Sequence, residues 1–498
     1  MGIIIRQSVK SAVWSYLGIV IGYINVGIIM PQFFSTAQIG LVNLFASVSL
    51  IFAQFGTLGF TSFINRLFPV FRNQEARHHG FLFLAIMTGI AGFCLCVVSF
   101  FLLKPWIIET NIEKSPLLLE YLWLLLPLVL MRILFQLLDN YNKMLYDAVT
   151  GIFWLEFMHK LINLALIVIF AFGGLSFSQF FFGYIVSMSL PVFPVAWVLI
   201  RRRHFNLQPQ REFLDKPLKK EIGSTMVFGF VNGLAGIILV NVDKVFVNQY
   251  LSLEDVGVFS VCALFASLIR IPYVAVSKIA TGVIAEAWKR NDKGHITEIY
   301  QKAALNQAII GMLIFIGILV NMRNIFAILP AVYQDGKWVL VIYAAGMLVN
   351  TVIGLAGNIT ETSKYFRFTT LFWGISILVQ FLLSFFLIPR FGLIGAALAT
   401  MVTLVFNSSF HAVFQRTAFG ITGANLKLLI IAGIGGISFL LARMIPDLPL
   451  VVDILIRSSV ISLFYLALIL LLKLSPDMNK LLAGYYNQVI DFLHPGKK

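Results

Sequence analysis

From Ser11 through Asn65 the chain carries no Asp, Glu, Lys or Arg, a charge-free run of 55 residues. A helix rises 1.5 Å per residue and needs about 20 apolar residues to cross the hydrocarbon of a bilayer, so this run holds two crossings and the turn between them. The remaining sequence continues the pattern. Of 498 residues, 59% are hydrophobic and only 12% charged, and the mean hydropathy is +0.91. Such a chain is neither a soluble enzyme nor a globular head on one anchor. Arg6 and Lys10 precede an apolar stretch longer than a signal-peptide core and without a small-residue cleavage pattern, so the first stretch reads as a retained helix.

Hydropathy and helix punctuation place crossings at about 12–34, 39–64, 80–103, 117–138, 149–171 and 178–200. A second set falls at about 222–248, 256–283, 303–322, 338–360, 366–388 and 392–415, followed by two more at about 425–445 and 453–473. The expected fold is an all-α polytopic membrane protein of about fourteen transmembrane helices. Its net charge of +15 is concentrated in alternate connectors. The densest holds Arg201, Arg202, Arg203, Arg211, Lys216, Lys219 and Lys220, and the connector with Lys289, Arg290 and Lys293 agrees with it. That alternation is the positive-inside pattern, so the charge predicts topology with both termini cytoplasmic, and nucleic acid is not an expected partner. After Pro476, Leu481, Leu482, Tyr485, Tyr486, Val489 and Ile490 recur at helical spacing, which predicts an amphipathic helix lying on the inner leaflet.

Sliding the chain by 217 positions sets Gln32, Phe33, Phe34, Ser35, Ile39, Gly40 and Leu41 on Gln249, Tyr250, Leu251, Ser252, Val256, Gly257 and Val258. Both segments join the first two helices of a six-helix block. Six is even, so the blocks share one orientation and are related by a pseudo-two-fold along the membrane normal. The predicted organisation is a first lobe over 1–200, a basic cytoplasmic linker over 201–221, a second lobe over 222–416, helices 13 and 14 over 417–474, and the tail from 475 to 498. Cys94, Cys96 and Cys262 all lie in apolar stretches without metal-ligand spacing, and no disulfide framework, metal or other cofactor is expected. Gly18 and Gly22 in the first span, and Gly229 and Gly233 in the seventh, repeat the small-xxx-small spacing that lets helices approach closely.

The segment NVDKVFVNQYLSLEDVGVFSVCALFASLIRIPYVAVSKIATGVIAEAW, from Asn241 to Trp288, resembles the seventh and eighth helices of bacterial polysaccharide (O-antigen type) flippases. FGLIGAALATMV, from Phe391 to Val402, resembles the start of their twelfth helix, and SVKSAVWSYLGIVIGYINVGIIMPQFFS, from Ser8 to Ser35, their first. This family belongs to the multidrug/oligosaccharidyl-lipid/polysaccharide exporter superfamily. The resemblance implies two six-helix lobes around a central cavity and alternating access of a lipid-linked anionic glycan across the inner membrane. It also implies a part in polysaccharide and lipopolysaccharide biosynthesis, with a glycan polymerase or other assembly proteins as partners besides membrane lipids.

A cation at bilayer centre costs at least about 2.5–3.5 kcal/mol on insertion scales, so each asks for a partner or a wet cavity. Arg270, mid-way along the eighth span and just before Ile271 and Pro272, is the first candidate to grip a phosphate; its structural alternative is packing against freed carbonyls. Lys278, eight residues on, either reaches the cargo or snorkels to the interface. Glu156, His159 and Lys160 share one face of the fifth span, as a polar strip toward the cargo or as a self-neutralised pair. Asp243 and Lys244 are adjacent in the outer part of the seventh span and point about 100° apart. Arg132 and Asp139 share a face of the fourth, for packing or for cargo.

The leading expectation is a flippase for a polyprenyl-diphosphate-linked oligosaccharide rather than an enzyme. A cation-coupled multidrug antiporter of the same superfamily would want a membrane-embedded carboxylate, and the first two helices have none. A peptidoglycan-precursor flippase would want a cation in the first helix for the substrate diphosphate. A membrane glycosyltransferase or polymerase would want large outer loops, and the outer connectors are short.

Overall fold

The computed structural model describes residues 2–476 and Asn479, and the expected amphipathic segment Leu481 to Ile490 lies outside them. Every regular element among the described residues is helical. Among the described residues, thirteen helical segments are long and apolar enough to cross a membrane. The longest, Phe366–Phe419, is two crossings joined at Gly392, whose φ of 56° and ψ of −133° break the helix in a conformation that glycine alone adopts without strain. Divided there, the described residues hold fourteen candidate crossings. We number them α1 (Val9–Phe33), α2 (Thr36–Gly56), α3 (Arg77–Asn111), α4 (Pro116–Met144), α5 (Val149–Ala171), α6 (Phe177–Arg201) and α7 (Lys216–Tyr250). Then follow α8 (Leu253–Lys289), α9 (Lys293–Val320), α10 (Ala331–Ile353), α11 (366–391), α12 (393–419), α13 (Leu426–Arg443) and α14 (Leu450–Leu471).

The helix starts are written locally. Ser35 accepts from the Gln38 amide at 3.2 Å while the Gln38 side chain accepts from the Ser35 amide at 3.0 Å, a reciprocal cap that opens α2. Ser176 and Gln179 repeat it at α6, with 3.3 and 2.9 Å. Asp215 caps α7 by accepting from the Leu218 amide at 2.8 Å. Many of the large apolar side chains are exposed, Leu102, Ile279 and Leu463 among them, as expected of helices whose outer faces meet lipid.

The chain forms two compact units, residues 1–261 with 373–396, and residues 262–372 with 397–498. In the first, α7 lies against α2 and against the short helix Phe60–Phe71. A Cβ on Gly229 would stand 2.3 Å from that of Ser62, and one on Gly233 would stand 2.2 Å from Gln54 Nε2, so the paired glycines are the surface on which α7 is seated. In the second unit α9 packs on α10 and α13, around Ile309, Ile316, Ile434, Ile461 and Tyr465.

Within the first unit the two halves of the sequence repeat touch reciprocally. A Cβ on Gly40 would fall 1.9 Å from the carbonyl oxygen of Leu253, and one on Gly257 would fall 2.1 Å from that of Thr36. The shift of 217 that maps 36 on 253 and 40 on 257 maps this contact onto itself, the signature of a two-fold. The segment after α6 is docked rather than loose. The Arg77 guanidinium donates to Gln208 at 2.8 Å, His79 stacks on Phe213 with 3.8 Å between rings, and His78 and His204 meet at 3.3 Å. Burial, with Arg202 nearby, holds the His204 imidazole below its ordinary pKa.

Candidate functional site

The polar residues of the first unit are set by one close helix crossing. A Cβ on Gly18 would fall 1.8 Å from the carbonyl oxygen of Glu156, and one on Gly22 would fall 3.3 Å from Lys160 Cδ. The missing side chains of α1 therefore let α5 in, and Asn25 closes the contact by donating to the Lys160 carbonyl at 2.8 Å. Both helices widen there into a π turn, Ile24–Ile29 in α1 and Phe153–Met158 in α5. Such turns are rare and gather at functional sites.

On this crossing Lys160 Nζ donates to Glu156 Oε2 at 2.8 Å, with both side chains partly exposed. His159 accepts from the Asn163 amide at 3.0 Å if Nε2 is the unprotonated nitrogen, and Asn163 Oδ1 accepts from Ser187 Oγ at 2.6 Å. Arg132 reaches the same region from α4. Its guanidinium lies 3.7 Å from Met188 Sδ, within electrostatic reach of His159 and of Tyr184 on α6. Arg132 makes no ion pair among the described residues, and its buried Nε has no acceptor. Asp139, which shares its face, pairs instead with Lys143 at 2.5 Å and abuts Gly151. Arg132 and Lys160 against Glu156 leave this cluster one positive charge in excess while His159 is neutral.

Asp243 and Lys244 stand apart, with no hydrogen bond or ion pair to the α5 set among the described residues. Although their Cα–Cβ bonds diverge, the long Lys244 side chain curls back to 3.8 Å from Asp243 Oδ1, which also accepts from the Lys244 amide at 2.8 Å. Asp243 is 1% exposed, and its second oxygen has no partner.

In the second unit Arg270 ends a tight turn, Leu268–Arg270, and Pro272 opens the next α segment, Ile271–Lys289. Pro272 lacks the N–H that would bond the Leu268 carbonyl four residues back, which accepts from the Ile271 amide instead, and Thr351 of α10 donates to the neighbouring Ile269 carbonyl at 3.3 Å. Arg270 makes no ion pair among the described residues, and its Nε is buried without an acceptor. Tyr273 lies within electrostatic reach of Arg270 and of Glu361. Its hydroxyl donates to Asn358 Oδ1 at 3.1 Å, and Asn358 donates to Thr281 at 2.7 Å. Lys278 is exposed and forms no hydrogen bond or ion pair among the described residues.

Sequence reading assigns none of Tyr184, Tyr273, Asn358 and Glu361 to the cargo, and Asn358 stands out only as the first residue of an Asn-Ile-Thr triplet. The three neutral residues carry no insertion penalty large enough to stand out in a hydropathy profile, and Glu361 falls one residue beyond the predicted tenth span. The available signal is their helical spacing, since Tyr273 follows Arg270 by one turn and Asn358 precedes Glu361 by one.

This is the fold of the MOP-superfamily transporters. A lipid II flippase, MurJ, in an inward closed conformation matches with a TM-score of 0.71 and 14% identity, over 93% of this chain and 97% of its own. An inward-facing multidrug resistance MATE transporter matches at 0.60 and 15% identity, over 82% of this chain and 98% of its own. A substituted form of the Vibrio cholerae MATE transporter VcmN matches at 0.52 and 11% identity, over 84% and 98%. No protein-family model matches the sequence, and no curated protein does.

Proposed function

We propose that the chain is a flippase that carries a polyprenyl-diphosphate-linked oligosaccharide out of the cytoplasm across the bacterial inner membrane. It does so by alternating access of two six-helix lobes, with both termini cytoplasmic. The observation that carries this reading is an asymmetry among the embedded charges. Each buried carboxylate among the described residues has a cation close by: Asp139 with Lys143, Asp147 with Arg202, Asp243 with Lys244 and Asp453 with Arg457, at 2.5, 3.0, 3.8 and 2.8 Å. Arg132 and Arg270 have no such partner. A guanidinium at this depth favours an anion that can accept two parallel N–H bonds, and a diphosphate supplies one. Lys160, His159 and Tyr184 would serve with Arg132, and Tyr273, with Lys278 nearer the helix end, would serve with Arg270.

An inside-negative potential favours export of such cargo by about 2.3 kcal/mol per negative charge per 100 mV if the charge crosses the full field. No ion site is then required. The drug-antiporter reading draws on the free, buried Asp243 oxygen, and the peptidoglycan-precursor reading on the likeness to a lipid II flippase that spans 93% of this chain. Proteoliposomes loaded with a fluorescent lipid-linked oligosaccharide separate the three. The expected result is flipping that follows an imposed K⁺ diffusion potential at equal pH and Na⁺ on both sides, exceeds that of lipid II, and is not accompanied by efflux of a cationic dye. Flipping that needs a proton or Na⁺ gradient and ignores the potential would refute the potential-driven model.

A further inference from the structure

A cavity of about 460 Å³ opens in the second unit where α9 ends, α10 begins and α13 ends, lined among others by Arg323, Lys337, Trp338, Phe439, Arg443 and Arg457. Part of its charge is committed to holding the α13–α14 hairpin. Arg457, which is nearly buried, donates to Asp453 at 2.8 Å, to the Ala442 and Ile445 carbonyls at 2.9 Å each and to that of Pro446 at 3.2 Å. It thereby caps the open end of α13. Asp453 also accepts from Asn324 at 2.6 Å and from the Leu448 amide at 3.3 Å, and Arg323 bridges to Asp447 and, at 3.9 Å, to Asp453. Two arginines and two carboxylates thus balance.

Lys337 and Arg443 remain. Both are exposed, they enter the same cavity from different helices, and neither forms a hydrogen bond or ion pair among the described residues. Asp335, the nearest acidic residue in sequence to Lys337, makes no ion pair among them either. The cavity therefore carries two cations in excess, at a level where four apolar crossings start or stop. Trp338, 57% exposed, marks that level as the membrane interface, where indole rings gather. The two helices that give the cavity Phe439, Arg443 and Arg457, α13 and α14, also present bare apolar side chains, Leu440, Val451 and Leu455.

We propose that this cavity binds the phosphate headgroup of an anionic phospholipid, gripped by Lys337 and Arg443, with the acyl chains lying on the exposed apolar face of α13 and α14. A phosphodiester offers one negative charge and acceptor oxygens that two converging cations can share. The adjoining apolar face gives a lipid an advantage over a soluble anion, because the acyl chains add buried area that inorganic phosphate lacks.

The test uses the full chain in vesicles that mix phosphatidylglycerol with phosphatidylcholine, only one of the two being brominated in each preparation, so that bromine quenching of nearby indoles reports which lipid is in contact. The Trp338 signal is isolated as the difference between the wild type and Trp338→Phe. Phosphatidylglycerol should be preferred at Trp338 by about tenfold, the scale of one charge-assisted contact at the low end of its range. The preference should fall to about onefold to twofold in Lys337→Gln/Arg443→Gln and persist in Lys337→Arg, which keeps the charge. An unchanged preference in the double variant would overturn the assignment. So would its loss on adding millimolar inorganic phosphate at constant ionic strength, which would mark a site for soluble phosphate instead.

Discussion

Arg270 sits two residues before the proline at the start of the second half of α8, with Tyr273, one turn on, within its electrostatic reach. A lysine there would keep the charge and lose the planar fork that matches two phosphate oxygens at once. Arg270→Lys is therefore expected to slow oligosaccharide flipping although the formal charge is unchanged, and Arg270→Ala to slow it further. A charge-assisted contact is worth about 1.5–3 kcal/mol, so removing this one should weaken cargo affinity by about 10- to 150-fold. Titrating the rate against cargo concentration in proteoliposomes reads the change as a raised half-saturation. An Arg270→Ala protein that inserts normally and flips with unaltered affinity would leave Arg270 a purely structural residue. Lys160 is a less direct probe, because deleting it strands the Glu156 carboxylate that it bonds at 2.8 Å.

At the scale of elements, the α1–α5 crossing decides where those side chains stand. Gly18→Ala would drive a methyl to within 1.8 Å of the Glu156 carbonyl oxygen, and a backbone atom cannot swing aside as a side chain can. The expected cost is about 1–3 kcal/mol, seen as a lower unfolding midpoint in detergent. Gly236→Ala in α7, where nothing lies within 4 Å of the new methyl, is the matched control and should leave the midpoint equal or slightly higher. The Gly18–Gly22 and Gly229–Gly233 pairs were readable in the sequence because close helix approach needs small residues one turn apart. The π turns at Ile24–Ile29 and Phe153–Met158 were not, since a π turn is a choice of hydrogen-bond partner with no composition of its own. Nor was the end of α2, predicted near residue 64. The chain turns at Leu58 and Gly59, both at positive φ, and restarts as Phe60–Phe71, whose apolar residues continue the hydropathy unbroken. Hydropathy reports burial in an apolar medium and is blind to a bend within it. The partnerless state of Arg270 and Arg132 was equally invisible, because it depends on what neighbouring helices bring and not on spacing along one helix.

For the whole molecule, the distribution of charge and the internal repeat bear on one quantity, the side of the membrane on which each connector lies. The reciprocal contacts of Gly40 with Leu253 and of Gly257 with Thr36 pair the start of α2 with the start of α8 under the 217-residue shift. Two helices exchanged by a two-fold along the membrane normal run in the same direction, which requires an even number of crossings from one to the next, and α2 to α8 is six. The connector between α6 and α7 must then lie on the side from which α1 departs. In the proposed orientation that side is the cytoplasm, as its basic run from Arg201 to Lys220 predicts. The turn between α5 and α6 must lie opposite, and it is a suitable place to look: Phe172 is 87% exposed and a Cβ on Gly173 would touch nothing. A reporter active only in the cytoplasm should work when fused after Arg203 and fail when fused after Gly173, while a reporter active only in the periplasm should show the reverse. Equal sidedness for the two fusions would require one crossing more or fewer in α6, Phe177–Arg201, and would break both the fourteen-helix count and the parity on which the repeat depends.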